Sequence, residues 1–192
     1  MSTRSQLRFV QTVTDTDGNE HERTAQVYRH SDGYPSAVIY DLATLRDVQA
    51  DTNTTRGPSY AAGNFIFLNK LRGMAMYVEE RAHRDRINPN TSVESFVATP
   101  ADYITDLDQP HFLLGYGVED TGDIHGDEEY LYKVHLPERK GPERLGPWTV
   151  AVSDSKSFPR FADDGDDVGD RFERADYETM PLDDALQQYV TE

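Results

Sequence analysis

Two alternating runs closed by an aspartate–glycine turn constrain this chain more than any other feature. Leu7–Thr14 (LRFVQTVT) and Arg23–His30 (RTAQVYRH) alternate apolar and polar residues and are rich in β-formers. Period-two alternation is what a strand needs, because successive side chains point to opposite faces. Asp15-Thr16-Asp17-Gly18-Asn19 lies between them, and Asp-Gly tolerates the left-handed backbone of a tight turn. The pair predicts an N-terminal β-hairpin, so any fold must include a sheet. The same string has the look of a calcium loop. An EF-hand loop needs glycine at its sixth position and glutamate at its twelfth. Here glycine is fourth and the twelfth residue is Gln26, so the turn reading is kept.

After the hairpin the period changes. Ser31-Asp32-Gly33-Tyr34-Pro35 is a sharp break, and Pro35 suits the first turn of a helix. Ala37, Val38, Tyr40, Leu42, Leu45 and Val48 then fit a helix. Asp51–Pro58 is a polar loop, and Tyr60–Arg86 carries the strongest helical pattern, with a wide apolar face in its first half. Residues 87–110 are irregular, with one short helix expected near Ala101–Thr105. His111–Glu119, Glu129–Leu136 and Trp148–Ser153 read as strands. Phe158–Glu178 is acidic and aperiodic and reads as a surface loop. A final helix starts at Met180-Pro181-Leu182-Asp183-Asp184, with acidic residues at its positive end. There is no internal repeat. Strands at both ends with helices between them predict an α+β domain over residues 1–192. Its mainly antiparallel sheet has about five strands, with helices packed on one face.

Composition bounds what such a domain does. There are no cysteines, which excludes disulfides, thiolate zinc sites and a cysteine nucleophile. Met1–Gln11 lacks the basic start and apolar run of a signal peptide, and no stretch is long and apolar enough to span a bilayer. A soluble protein, cytoplasmic (in a host cell if viral) and with no membrane partner, is expected. The net charge is -16, from 35 acidic against 19 basic residues. Asp (22) outnumbers Glu (13), and Arg (15) far outnumbers Lys (4). Crowded short carboxylates repel one another, and molar salt screens that repulsion within a few ångströms. Arginine is always charged, weakly hydrated and forks onto carboxylates. The combination reads as that of a salt-in halophile, an archaeon or its virus. Direct nucleic-acid binding is disfavoured, since attraction to phosphates dominates such binding, although a local arginine patch overrides that.

Two segments are not explained by salt. One is Tyr28-Arg29-His30-Ser31-Asp32-Gly33-Tyr34-Pro35. The other runs from Gly115-Tyr116-Gly117 to Gly122-Asp123-Ile124-His125-Gly126-Asp127-Glu128-Glu129-Tyr130-Leu131-Tyr132. With Thr3-Arg4, they resemble a family of small uncharacterised proteins of bacteria, archaea and their viruses. Its members open with Thr-Arg and carry Tyr-x-His-Trp-Asp-Gly-Tyr-Pro and a later Gly-Tyr-Gly…Gly-Asp-x-Glu-Tyr-Leu-Tyr. Ser31 stands where that family has tryptophan. The resemblance covers about residues 3–40 and 112–136 and implies a grouping, with no activity attached.

If the two segments converge, His30, Asp32, His125, Asp127 and Glu129 form a His/carboxylate cluster able to take a divalent cation or do acid–base work. Tyr34 and Tyr130 are further ligand candidates. The plain alternative is that Asp32-Gly33 and Gly126-Asp127 are turns, Pro35 starts a helix, and Tyr130 and Tyr132 pack. No phosphate-loop, dinucleotide, zinc-protease or serine-hydrolase motif occurs. No cofactor is expected beyond that divalent cation. Three functions are weighed. The favoured one is a non-enzymatic binding protein with a protein partner. The second is a metal-dependent hydrolase or nuclease built on the cluster. The third is an acidic nucleic-acid mimic, which needs its charge concentrated on one face, whereas Asp here is spread from Asp15 to Asp184.

Overall fold

The computed structural model describes residues 3–52, 56–84, 115–120, 128–154, 172 and 175–190; for 77–84 the backbone alone is described. The predicted hairpin is present. Strand β1 (Ser5–Thr14) pairs antiparallel with β2 (Glu20–Arg29) over its whole length. Asp15 closes the turn: its carboxylate accepts the amides of Asp17 and Asn19, both at 2.9 Å, and Gly18 takes φ +85°. Those amides favour the charged form and hold the Asp15 pKa below its usual value.

The helices α1 (Pro35–Asp51) and α2 (Pro58–Arg84) follow, then strands β3 (Tyr116–Glu119), β4 (Tyr130–His135), β5 (Glu138–Lys140), β6 (Glu143–Leu145), β7 (Thr149–Asp154) and β8 (Glu178–Pro181). Helix α3 (Leu182–Val190) closes the described chain. The sheet has eight strands in the order β3-β2-β1-β4-β7-β8, with β5 also paired to β1 and β6 paired to β5. β1 runs parallel to β4 and β5; every other pairing is antiparallel. The architecture is therefore α+β with a mixed, mostly antiparallel sheet.

Alternation decides where the core lies. Leu7 and Phe9 of β1 stand beside Val27 and Ala25 of β2 and beside Tyr132 and Val134 of β4. This face meets Val38, Ile39, Leu42 and Leu45 of α1, Ala61 and Phe65 of α2, and Leu182 and Ala185 of α3 in one core. Phe9 and Phe65 meet edge to face at 5.9 Å, a favoured aromatic geometry. Inside this face Asp41 of α1 accepts hydrogen bonds from Arg29 of β2 (2.6 Å) and Arg72 of α2 (2.5 Å). One carboxylate thus ties the sheet to both long helices.

Several expectations change. The strand count exceeds five because β5, β6 and β8 are three or four residues each, too short to show alternation. The final helix begins at Leu182; Met180 and Pro181 belong to β8. β1 is buried on both faces from Ser5 to Gln11, so the face away from the helices is covered as well. The acidic segment expected as a surface loop is described only at Phe172 and from Ala175 onward. There Phe172 and Ala175 are buried against Leu131, and β8 begins at Glu178. The short helix expected near Ala101–Thr105 lies outside the described residues.

Candidate functional site

The two motif segments do meet, at the start of β1. Gly33 donates its amide to the Thr3 carbonyl (2.9 Å), Glu129 donates its amide to the Arg4 carbonyl (2.9 Å), and the buried Tyr132 hydroxyl donates to the Gly33 carbonyl (2.8 Å). Burial pushes the Tyr132 pKa well above 10, which keeps it protonated as that donor. Asp32 carries the left-handed φ of +56° at the turn. Gly33 follows because a Cβ there would lie 2.8 Å from the Arg4 carbonyl carbon and from Ser5 Oγ. Tyr34 precedes the first turn of α1 and Pro35 opens it. Each residue of this junction has a packing or turn role.

The sequence-predicted site residues distribute as follows. His30 Nδ1 lies 3.1 Å from the Tyr28 hydroxyl, and the His30 amide bonds the Gly115 carbonyl. Asp32 and Tyr34 are exposed, and Tyr130 stacks on Tyr132 with ring centres 6.2 Å apart. Burial, with Asp154 and Glu129 nearby, raises the Tyr130 pKa. His125 and Asp127 lie outside the described residues. Among the described residues no group of three or more His, Asp or Glu side chains is placed to hold a metal, so His30, Asp32 and Glu129 do not form one by themselves.

On the sheet face away from the helices lies a polar layer. Arg8 donates from Nε and Nη2 to Gln26 Oε1 (3.2 and 3.1 Å), and its guanidinium lies 4.1 Å over the Phe172 ring. Gln6 donates to Glu119 at 2.7 Å. Arg8 and Gln26 thus pair with one another, as burial of polar atoms demands.

A different region presents open chemistry. At the far end of β1, Arg23, Arg56, Arg139 and Arg144 line a 440 Å³ cleft with Gly57, Pro58, Ser59 and Tyr60. The fold builds it in three steps. First, Val10 pairs with His135 but Val13 pairs with Arg139, so three steps on β1 match four on the partner. That is a one-residue bulge, placed at Pro137, which has no amide to give the ladder. Second, a one-residue slip exchanges faces. His135 shares the far face with Val10, whereas Arg139 shares the helix face with Val13. Third, Arg144 stands directly opposite Arg139 across β5 and β6, and Arg23 stands opposite the buried Gln11.

Helix α2 supplies the remaining wall. Gly57 caps its start: the amides of Tyr60 and Ala61 bond the Gly57 carbonyl, and glycine has no side-chain oxygen to cap the first turn. No acidic residue stands in that turn, whereas α3 has Asp183 and Asp184 in its own. The positive end of α2 thus faces the cleft. Among the described residues, Arg23, Arg56 and Arg139 have no carboxylate partner. Arg139 donates to the Gly141 carbonyl (3.0 Å), and the Arg56 guanidinium lies 5.1 Å from the Tyr60 ring centre. Sequence reasoning missed this set, because arginine abundance was assigned to salt and the four residues are far apart in the chain. The one available signal was the acid-free first turn at Pro58-Ser59-Tyr60 in a chain with 22 Asp.

No helix among the described residues is long and apolar enough to cross a membrane. No family model, curated protein or solved structure matches the chain.

Proposed function

We propose that this chain is a non-enzymatic binding protein that holds an anionic group, a phosphate or polyphosphate, in the arginine-lined cleft. One observation carries the reading: with 35 acidic residues in the chain, three of the four cleft arginines have no carboxylate partner among the described residues. Arginine forks onto phosphate oxygens in planar, bidentate fashion. The acid-free start of α2 adds the positive end of its dipole. The ligand proposed here is an anion in place of the protein partner expected from the sequence, and the net charge of -16 is overridden locally. The lysine-poor, aspartate-rich composition supports a salt-in archaeal or viral source, and the two junction segments carry the resemblance to the uncharacterised family.

Titration of the full chain with inorganic tripolyphosphate tests the reading. The wild type binds, and Arg23→Gln and Arg139→Gln each weaken binding about tenfold. A charged hydrogen bond contributes about 1.5–3 kcal/mol, and 1.4 kcal/mol is a factor of ten. Neither variant lowers the stability of the unliganded protein by more than about 0.5 kcal/mol, as befits exposed side chains. Absence of binding by the wild type, or full binding by both variants, overturns it.

A further inference from the structure

We infer that the ligand of the arginine cleft is a nucleoside phosphate, with its phosphates among the arginines and its base laid along the exposed face of α2 between Tyr60 and Phe67. The inference rests on the anion-binding reading above and adds the ligand's second half. A second cleft of 410 Å³ adjoins the first and is lined by Val48, Arg56, Tyr60, Asn64, Phe67 and Leu68. Arg56 and Tyr60 belong to both clefts. A molecule filling both is therefore anionic at one end and apolar and planar at the other.

The residues of the second cleft suit a base. Tyr60, Asn64, Phe67 and Leu68 fall at helical spacings that place them on one face of α2. Phe67 is 61% exposed, Tyr60 54% and Val48 40%. These are large apolar groups left in water beside a charged cleft, the arrangement that marks a binding site. Base–aromatic stacking is the interaction such rings offer. Asn64, half-buried in the wall of this cleft, has no side-chain hydrogen-bond partner among the described residues. Its amide offers both a donor and an acceptor, the complement of a base edge.

The occupant is a mononucleotide and not a strand. Its charge is confined to the arginine cleft, whereas a polyanion must also run across the surface of a protein of charge -16.

Calorimetric titration of the full chain compares ATP, tripolyphosphate and a short oligothymidylate. ATP binds about tenfold or more tightly than tripolyphosphate, within the range that stacking supports. Phe67→Ala and Asn64→Ala both weaken ATP binding toward that of tripolyphosphate. Neither changes tripolyphosphate binding. Equal affinity of ATP and tripolyphosphate, or ATP binding unaffected by both variants, overturns the nucleotide inference and leaves the anion site standing. Tighter binding of the oligonucleotide than of ATP overturns it in favour of a nucleic-acid strand. Loss of tripolyphosphate binding in the wild type overturns the anion reading itself.

Discussion

Replacing Asp41 by Asn isolates the interaction that ties the sheet to both long helices. The Asp41 side chain is 1% exposed and that of Arg29 3%, with 2.6 Å between them. Asn keeps the shape and one hydrogen bond, so the cost reports charge and not packing. Arg72 is 44% exposed on its side chain and regains water, which limits its share to about 1 kcal/mol or less. Arg29 cannot do so. A buried charge stripped of its partner costs about 3–5 kcal/mol, a large part of a typical total stability of about 5–15 kcal/mol. Trp148, the single tryptophan and 6% exposed, reports urea unfolding. The same loss is expected when salt is raised, since buried pairs are little screened. The double variant Arg29→Met/Asp41→Leu recovers most of it, because apolar replacement of a buried pair is close to neutral. It stays about 1 kcal/mol below wild type for the Ser31 carbonyl, which loses its Arg29 donor at 2.8 Å. A cost below about 1 kcal/mol for Asp41→Asn, or a double variant as unstable as the single one, refutes the reasoning.

Three further outcomes follow from the same structure. Gly33→Ala forces a Cβ to within 2.8 Å of the Arg4 backbone and lowers stability by about 1–3 kcal/mol, read by urea unfolding; an unchanged midpoint contradicts the close approach. Burial, then Lys133, lowers the His135 pKa below 6.5. The unfolded chain therefore binds the proton more readily, and the contribution of His135 is fully present above about pH 6.5 and is lost as pH falls through the folded value. His135→Gln flattens that part of the stability–pH profile; an unchanged slope below about pH 6.5 contradicts it. Removing salt, from about 1 M to dilute buffer, lowers the melting temperature as carboxylate repulsion is unscreened; an equal Tm in both contradicts the halophilic reading.

What could be read from the sequence was what has a period. The β1–β2 hairpin, the Pro35 helix start and the extent of α2 each follow from local pattern, and the structure has them; the wide apolar face of α2 is buried at Ala61, Phe65 and Met74 but exposed at Phe67 and Leu71. β5 and β6 were hidden because three residues cannot show alternation, and because Pro137 and Gly141 read as punctuation. The parallel pairing of β1 with β4 joins residues more than a hundred positions apart, which no local pattern encodes. The junction at Gly33 and Tyr132 was legible as two motifs, and what joins them is a hydroxyl–carbonyl bond and a close backbone approach. The arginine cleft was illegible for a sharper reason. A bulge at Pro137 decides which face Arg139 takes, and a face switch of one residue is invisible in a list of charges. Its lack of carboxylate neighbours is a spatial property, and the composition pointed the other way.

The most direct measurement is the position of a bound anion. Crystals of the full chain grown with tungstate, a heavy phosphate mimic, show by anomalous diffraction where it sits. The account predicts one dominant peak in the cleft, within hydrogen-bond distance of Arg139 and beside the start of α2, and lost in Arg139→Gln. A peak elsewhere on the surface with the cleft empty contradicts it.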